Sequence, residues 1–384
     1  MKKIAQLRFL VLLLFISCIS VYACSPKDDE IEEEKPDPVY SMTHYIEKIR
    51  PDFKIGTHFS ENPSNKDPYL GFIRKNFNAV TIGVYMKGTQ RDGKDAWNFG
   101  SLDSRIPFAQ EKSMKIKFHP GIGHDTYNPD WLVNGGFSAA ELDEILTERF
   151  KTLIEKYDAD LSAFELVNEA IAPDASGEIW TVANNVWTGI GWSAQNLYPL
   201  YIKRAFEVSD QYTDEVEFIL NDNNNSMLES AKSDNFYNAV ELLLDQGVPI
   251  DGVGLQMHCS VVGDQIVESA FGSGAPLNIE SFKQMMEKYG KLGVDVHITE
   301  FDVHLPENPD AQDYALQAIA YRDVLKAALE STYCKSFTTW GTADPKGWAP
   351  SGYNPHSLWL DDNFQPKENY FKVLEMLQEM AGEI

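Results

Sequence analysis

The folded part of this chain has almost no cysteine. Of its 4 cysteines, Cys18 and Cys24 lie in the N-terminal leader, and only Cys259 and Cys334 remain beyond it. Cys259 falls at the C-terminal end of one expected strand and Cys334 at the N-terminal end of another, so no disulfide is expected between them. Positive charge is scarce as well. Against 58 Asp and Glu there are 33 Lys and Arg, a net charge of −25, which repels phosphate backbones and polyanionic glycans but tolerates neutral polysaccharide. Nucleic acid is therefore not an expected partner. Long apolar runs are also lacking, since Phe9 to Ile19 is too short for a membrane span. Past residue 41 there is no low-complexity stretch and no second linker.

The leader reads as an export signal: Lys2, Lys3 and Arg8 precede the short apolar run, and small residues follow. Ala23-Cys24 resembles the end of a lipobox. Cys18, preceded by Ser17, is the rival anchor, and Cys24 is preferred because SPKDDEIEEEKPDP after it suits a mature tether. An acidic stretch in that place resembles the surface-export signal of Bacteroidetes lipoproteins. The expected layout is a lipoprotein signal peptide over 1–23, a disordered acidic, Pro-rich tether over 24–41, and one catalytic domain over 42–384. Secretion through the inner membrane, a lipid anchor in the outer membrane as the sole membrane contact, and exposure at the cell surface follow as expectations.

Within 42–384, short apolar runs alternate with longer amphipathic ones. Strands are expected at FKIGT (53), NAVTIG (78), KIKFH (115), AFELVN (163), EFILN (217), GVGLQ (252), VDVHIT (294) and KSFTTW (335). Helices are expected from Ser138, which offers an N-cap followed by an acidic turn, and over QNLYPLYIKRAFEVSD and YALQAIAYRDVLKAALES. Strand then helix, repeated eight times, reads as a (β/α)8 TIM barrel of the α/β class, as a single domain.

Polar residues gather where these strands end: His119, Asn168-Glu169, Asn221-Asp222, Gln256 with His258, Glu300 with Asp302, and Trp340. One polar strand end is an ordinary cap for the next helix; a whole ring of them marks the C-terminal, catalytic face of a barrel. Glycoside hydrolysis needs two carboxyl groups flanking one bond, and Glu169 after the fourth strand can face Glu300 at the end of the seventh across the mouth. Burial and the nearby charge of Glu300 are expected to raise the pKa of Glu169.

VNEA at 167, LND at 220, DGVGLQMH at 251, ITEFD at 298 and TTWGTAD at 338 follow one another in the order of glycoside hydrolase family 10, the endo-β-1,4-xylanases, which the chain resembles from about 53 to about 375. The resemblance implies a retaining hydrolase of xylan or a decorated xylan, with no cofactor and no metal. It implies Glu169 as acid/base and Glu300 as nucleophile. Asn168 would bond the sugar 2-hydroxyl, and His258, backed by Asp302, would support the nucleophile. Lys87, His124, Gln256, Trp340 and Trp348 would contact substrate. His119 is read as a structural histidine, and Trp131 fits either packing or substrate. A monomer is expected.

The departures lie after strands two and three. Where the family shows a pattern like TPENEMKW, this chain has TIGVYMKG; Gly83 and Val84 replace a polar pair and Gly88 a Trp. GHDTYNPDW stands in place of a WHSQ-like run. The expectation is a smaller, more apolar surface beside Lys87, with space for a decorated sugar. Two other readings compete with this one. A metal-dependent barrel hydrolase would draw on His58, His119, His124, His258 and Asp302, but lacks the His-x-His pair after strand one. A non-catalytic glycan-binding lipoprotein on the same fold would not need the acid–nucleophile set.

Overall fold

A computed structural model describes residues 41–63, 69–172, 179–228 and 230–384. The signal-peptide, lipid-anchor and tether expectations, Cys18 and Cys24 included, lie outside these residues. Eight strands form the barrel: β1 (Lys54–His58), β2 (Ala79–Gly83), β3 (Lys115–His119), β4 (Leu161–Asn168), β5 (Glu217–Asp222), β6 (Gly252–Leu255), β7 (Asp295–Pro306) and β8 (Cys334–Thr339). Each pairs in parallel with the next, and β8 pairs with β1, which closes the sheet. Their side chains are buried nearly throughout, as strands covered by helices outside and filled by side chains inside must be.

The helices sit where their caps place them. Ala139–Tyr157 opens on a capping box between Ser138 and Glu141, and Ala311–Glu330 on one between Asp310 and Asp313. The expected helix over 195–210 starts only at Leu200, with Pro199 as its N-cap; Gln195 and Asn196 before it take positive φ. Among the described residues no helix is long and apolar enough to cross a membrane.

β7 corrects one expectation. Glu300 does not end the seventh strand, which runs on to Pro306. The extension finds partners beyond the barrel: Asp302–His304 pairs with His258–Ser260 of an added strand (His258–Val262), and Leu305–Pro306 with Tyr353–Asn354. The register against β8 slips between Ile298 and Phe301, a bulge beside Glu300 of the kind that re-aims a side chain. Cys259 lies in the added strand and Cys334 opens β8, both as buried free thiols.

Candidate active site

The strand ends deliver their polar groups to one rim. Glu169 follows β4 in a left-handed conformation (φ +57°), and Met257, between Gln256 and His258, does the same (φ +54°). Such backbone is costly for non-glycine residues and concentrates at functional sites. The bulge in β7 supplies Glu300, which is 4 % exposed.

The carboxylates are joined by amides. Asn221, the last residue but one of β5, donates through Nδ2 to Glu300 Oε1 and to Asn168 Oδ1, both at 2.8 Å. Thr299 Oγ1 fixes its amide by donating to Oδ1 at 2.7 Å. Gly254 makes room for it, since a Cβ there would lie 2.1 Å from Asn221 Oδ1. Gln256 Nε2 donates to Asn168 Oδ1 and to Glu169 Oε1, each at 3.1 Å.

Glu300 and Glu169 stand in different electrostatic settings. His258 bridges Glu300 and Asp302, with Nε2 at 3.2 Å from Glu300 Oε2 and Nδ1 at 2.9 Å from Asp302 Oδ1. Burial alone would depress this imidazole. The charge of Asp302 and the hydrogen bonds to both carboxylates overcome it and carry the pKa to about 10. A doubly protonated ring here can donate to both carboxylates at once. Trp348 holds the far oxygen of Asp302 through Nε1 at 2.9 Å. Below lies a buried trio in which Glu165 meets both Lys117 and His119. His119 Nδ1 is also 3.7 Å from Glu300 Oε1. Burial opposes its charge, but Glu300 and Glu165 raise its pKa. The histidine read as structural is thus buried and paired, yet lies directly under Glu300.

Glu169 contradicts the expected raised pKa. Burial does push it up, but hydrogen bonds from His124 and Gln256, the charge of His124 and a bond from Tyr127 bring it down to about 2. His124 Nε2 is 2.8 Å and the Tyr127 hydroxyl 3.1 Å from Glu169 Oε2. The sequence shows the charges but not these donors, and the donors outweigh burial.

The remaining expected residues divide. Trp340 stacks on His58 at 4.3 Å and stands edge-on to His119 at 4.8 Å. Trp348 stands edge-on to His258 at 5.2 Å. Lys87 is exposed, and its Nζ donates to the Thr126 carbonyl at 2.7 Å. Trp131 donates to the Gln90 carbonyl at 2.7 Å and packs on Phe137, which serves loop packing.

The open apolar surface expected at Gly83 and Val84 is absent. Val84 is fully buried. The Tyr85 ring covers Gly83, where a Cβ would lie 3.0 Å from Tyr85 Cε2. Arg149, itself buried, ties these loops together through the carbonyls of Val84 (2.6 Å) and Gly121 (2.7 Å) and the side chains of Thr89 and Gln90. Among the described residues no carboxylate pairs with it, and burial lowers its pKa to about 9. Sequence reasoning missed Asn221 as a bridge, and Tyr85 and Tyr127 altogether. The LND motif pointed to Asn221; nothing in spacing pointed to the tyrosines.

Two groups of side chains converge closely enough to share a cation, His258–Asp302–His304 and His119–Glu165–Glu300. His304 Nε2 lies 3.4 Å from Asp302 Oδ1; all the others belong to the hydrogen-bonded network just described. Its organisation is that of two carboxylates at one rim, each with its own set of donors, which is the equipment for acid–base and nucleophilic work on one bond.

Known proteins resemble this chain over most of its length. The model of glycosyl hydrolase family 10 matches residues 45–376. The chain is similar to endo-1,4-beta-xylanase B of Thermotoga neapolitana, 27 % identical over 97 % of this chain and 98 % of the relative. It is also similar to endo-1,4-beta-xylanase A of Caldicellulosiruptor saccharolyticus, 30 % identical over 84 % and 92 % of the two chains. Among solved structures, xylanase 10B from Thermotoga petrophila in complex with xylobiose superposes with a TM-score of 0.76 at 27 % identity, covering 89 % of this chain and 98 % of that one.

Proposed function

This chain belongs to glycosyl hydrolase family 10, and from that premise we propose that it cleaves β-1,4-linked xylan, or a decorated xylan, with retention of configuration. Glu300 is the nucleophile and Glu169 the acid/base. The observation that carries this reading is the asymmetry of donors: Glu300 rests against His258, Asn221 and His119, while Glu169 faces His124, Gln256 and Tyr127. The names of the relatives and the xylobiose in one of them support xylan as the substrate class.

In the first step a Glu300 oxygen attacks the anomeric carbon, the bond to the leaving oxygen breaks, and Glu169 gives that oxygen its proton. In the second, water attacks the glycosyl-enzyme ester and passes its proton to Glu169. The resting site holds Glu169 in the base form that the second step requires. A bound sugar expels water from the carboxyl and raises its pKa for the first. Asn168, Lys87, His124, Gln256, Trp340 and Trp348 would bind the sugars, with His258, backed by Asp302, holding the nucleophile in place. A monomer attached by lipid at Cys24 to the outer membrane completes the proposal; its support is Ala23-Cys24 and the acidic stretch beyond. Loss of membrane attachment in Cys24→Ser would test the anchor.

The test of roles is chemical rescue. Glu300→Ala should lose turnover, and azide should restore it as a glycosyl azide of inverted configuration. Glu169→Ala should keep its first step on activated aryl xylosides, which need little protonation. Like behaviour of the two variants would refute the assignment, and no sugar release from any xylan by the parent would favour a glycan-binding protein.

A further inference from the structure

The extension of β7 carries one histidine that the proposed reaction does not use. Asp302 and His304 are two apart on that strand and so share one of its faces. In the parallel ladder with the added strand, His258 lies directly opposite Asp302. One register therefore brings two imidazoles to one carboxylate. Asp302 Oδ1 is 2.9 Å from His258 Nδ1 and 3.4 Å from His304 Nε2. One ligand atom from each of the three lies within 4.8 Å of the others. Trp348 Nε1 holds the far oxygen, Oδ2, at 2.9 Å, which leaves Oδ1 to the histidines.

His304 is fully buried, yet neither of its ring nitrogens forms a hydrogen bond with the described residues. Its other neighbours are rings, Trp348 edge-on at 4.8 Å and Tyr353 at 6.4 Å. A buried imidazole costs stability unless something takes its nitrogen, and a neutral one offers a lone pair to a metal ion. Zinc, with bonds of about 2.0–2.1 Å to nitrogen and oxygen, keeps tetrahedral ligand atoms roughly 3.3 Å apart. The two contacts to Asp302 Oδ1 lie on either side of that spacing. The other convergent group, His119–Glu165–Glu300, already has the Lys117 ammonium on Glu165.

We propose that His258 Nδ1, Asp302 Oδ1 and His304 Nε2 form a site for one zinc-class divalent ion, and that its occupancy inhibits the enzyme. The ion takes the place of the Nδ1 proton of His258, which leaves to solvent, and a water completes the tetrahedron. Two imidazoles in the donor set select zinc over magnesium or calcium, which take all-oxygen shells. His258 keeps 12 % of its side chain exposed, and the ion enters there. The Nε2–H of His258 still faces Glu300 at 3.2 Å, so the nucleophile stays held. The ring with its ion, however, carries one more positive charge than the protonated ring. That charge draws on the attacking oxygen of Glu300 and slows its attack on the anomeric carbon. The inhibition rests on Glu300 being the nucleophile; the binding does not.

The test titrates the untagged, chelator-treated enzyme with zinc chloride by calorimetry and assays it on an aryl β-xyloside. One ion per chain should bind with a Kd below about 10 μM. At saturation kcat/KM should fall by about tenfold or more, and EDTA should restore it. Magnesium at the same concentration should neither bind nor inhibit. His304→Phe keeps a ring against Trp348; without zinc it should turn over like the parent, and its zinc affinity should be weaker by about a hundredfold. In the parent, zinc should shift the C2 protons of His258 and His304 together, an NMR readout that needs no variant. No binding up to about 1 mM zinc would overturn the site. So would binding that leaves the His304 signal in place, or that persists at full strength in folded His304→Phe. Binding at the site with unchanged kcat/KM would overturn the inhibition. A parent that turns over no glycoside would remove the catalytic reading, while the zinc titration would still decide the site.

Discussion

His258 is the group on which pH should act most visibly. Its pKa of about 10 lies well above the ordinary 6.5, because two carboxylates, on Asp302 and Glu300, face its two ring nitrogens. A folded-state pKa above the unfolded one contributes stability that is fully present below pH 6.5 and lost as pH rises through about 10. At about 1.4 kcal/mol per unit, the gap is worth up to about 5 kcal/mol, shared with the depressed pKa of Asp302 because both describe one interaction. Urea unfolding at pH 7 and pH 10, for the parent and for His258→Gln, isolates it, since other titrating groups cancel in the difference. The parent should lose more than the variant over that interval, by roughly 3–4 kcal/mol. NMR titration of the His258 C2 proton should give a midpoint far above 6.5, and Asp302→Asn should bring it down. A parent midpoint near 6.5, or the same pH slope in His258→Gln, would refute the reasoning.

Other consequences follow from the loops around the site. Arg149→Met should cost about 3–5 kcal/mol by denaturant unfolding, because it leaves the carbonyls of Val84 and Gly121 without their buried donor. Its activity should fall too, since those loops carry Tyr85 and Tyr127. Gly83→Glu with Val84→Asn, which restores a polar pair at these positions, should lower both stability and kcat/KM. Val84 is fully buried, and Tyr85 occupies the space the new Glu would need. A gain in kcat/KM would restore the open-surface picture. Gly123→Ala should disturb Tyr127 directly and lower melting temperature by several degrees, equivalent to about 1–3 kcal/mol.

The barrel was legible because its physics is local. Buried parallel strands must be apolar along their length, and all eight runs match β1–β8 to within a residue or two, apart from β7. Ser138 announced its helix because a capping box is written in consecutive residues. β7 escaped because its extension is paired by strands added after β6 and β8, which no local pattern reveals. The strand-end polar residues do converge, since parallel strands deliver their C-termini to one rim. What did not read out is who donates to whom. In the sequence Asn221 is one more polar strand end; in the fold its amide spans Asn168 and Glu300. Tyr85 and Tyr127 lie in loops, where no periodicity marks a buried ring. The depressed pKa of Glu169 followed from donors that only three-dimensional packing supplies.

Trapping the covalent intermediate tests the central claim most directly. The enzyme is incubated with an activated 2-deoxy-2-fluoro-xyloside, digested and sequenced by mass spectrometry. The account predicts one fluoroxylosyl group, carried by the peptide containing Glu300 and absent after Glu300→Gln. A label on Glu169 or any other residue, or no label from an enzyme that turns over the same aglycone with inversion, would contradict it.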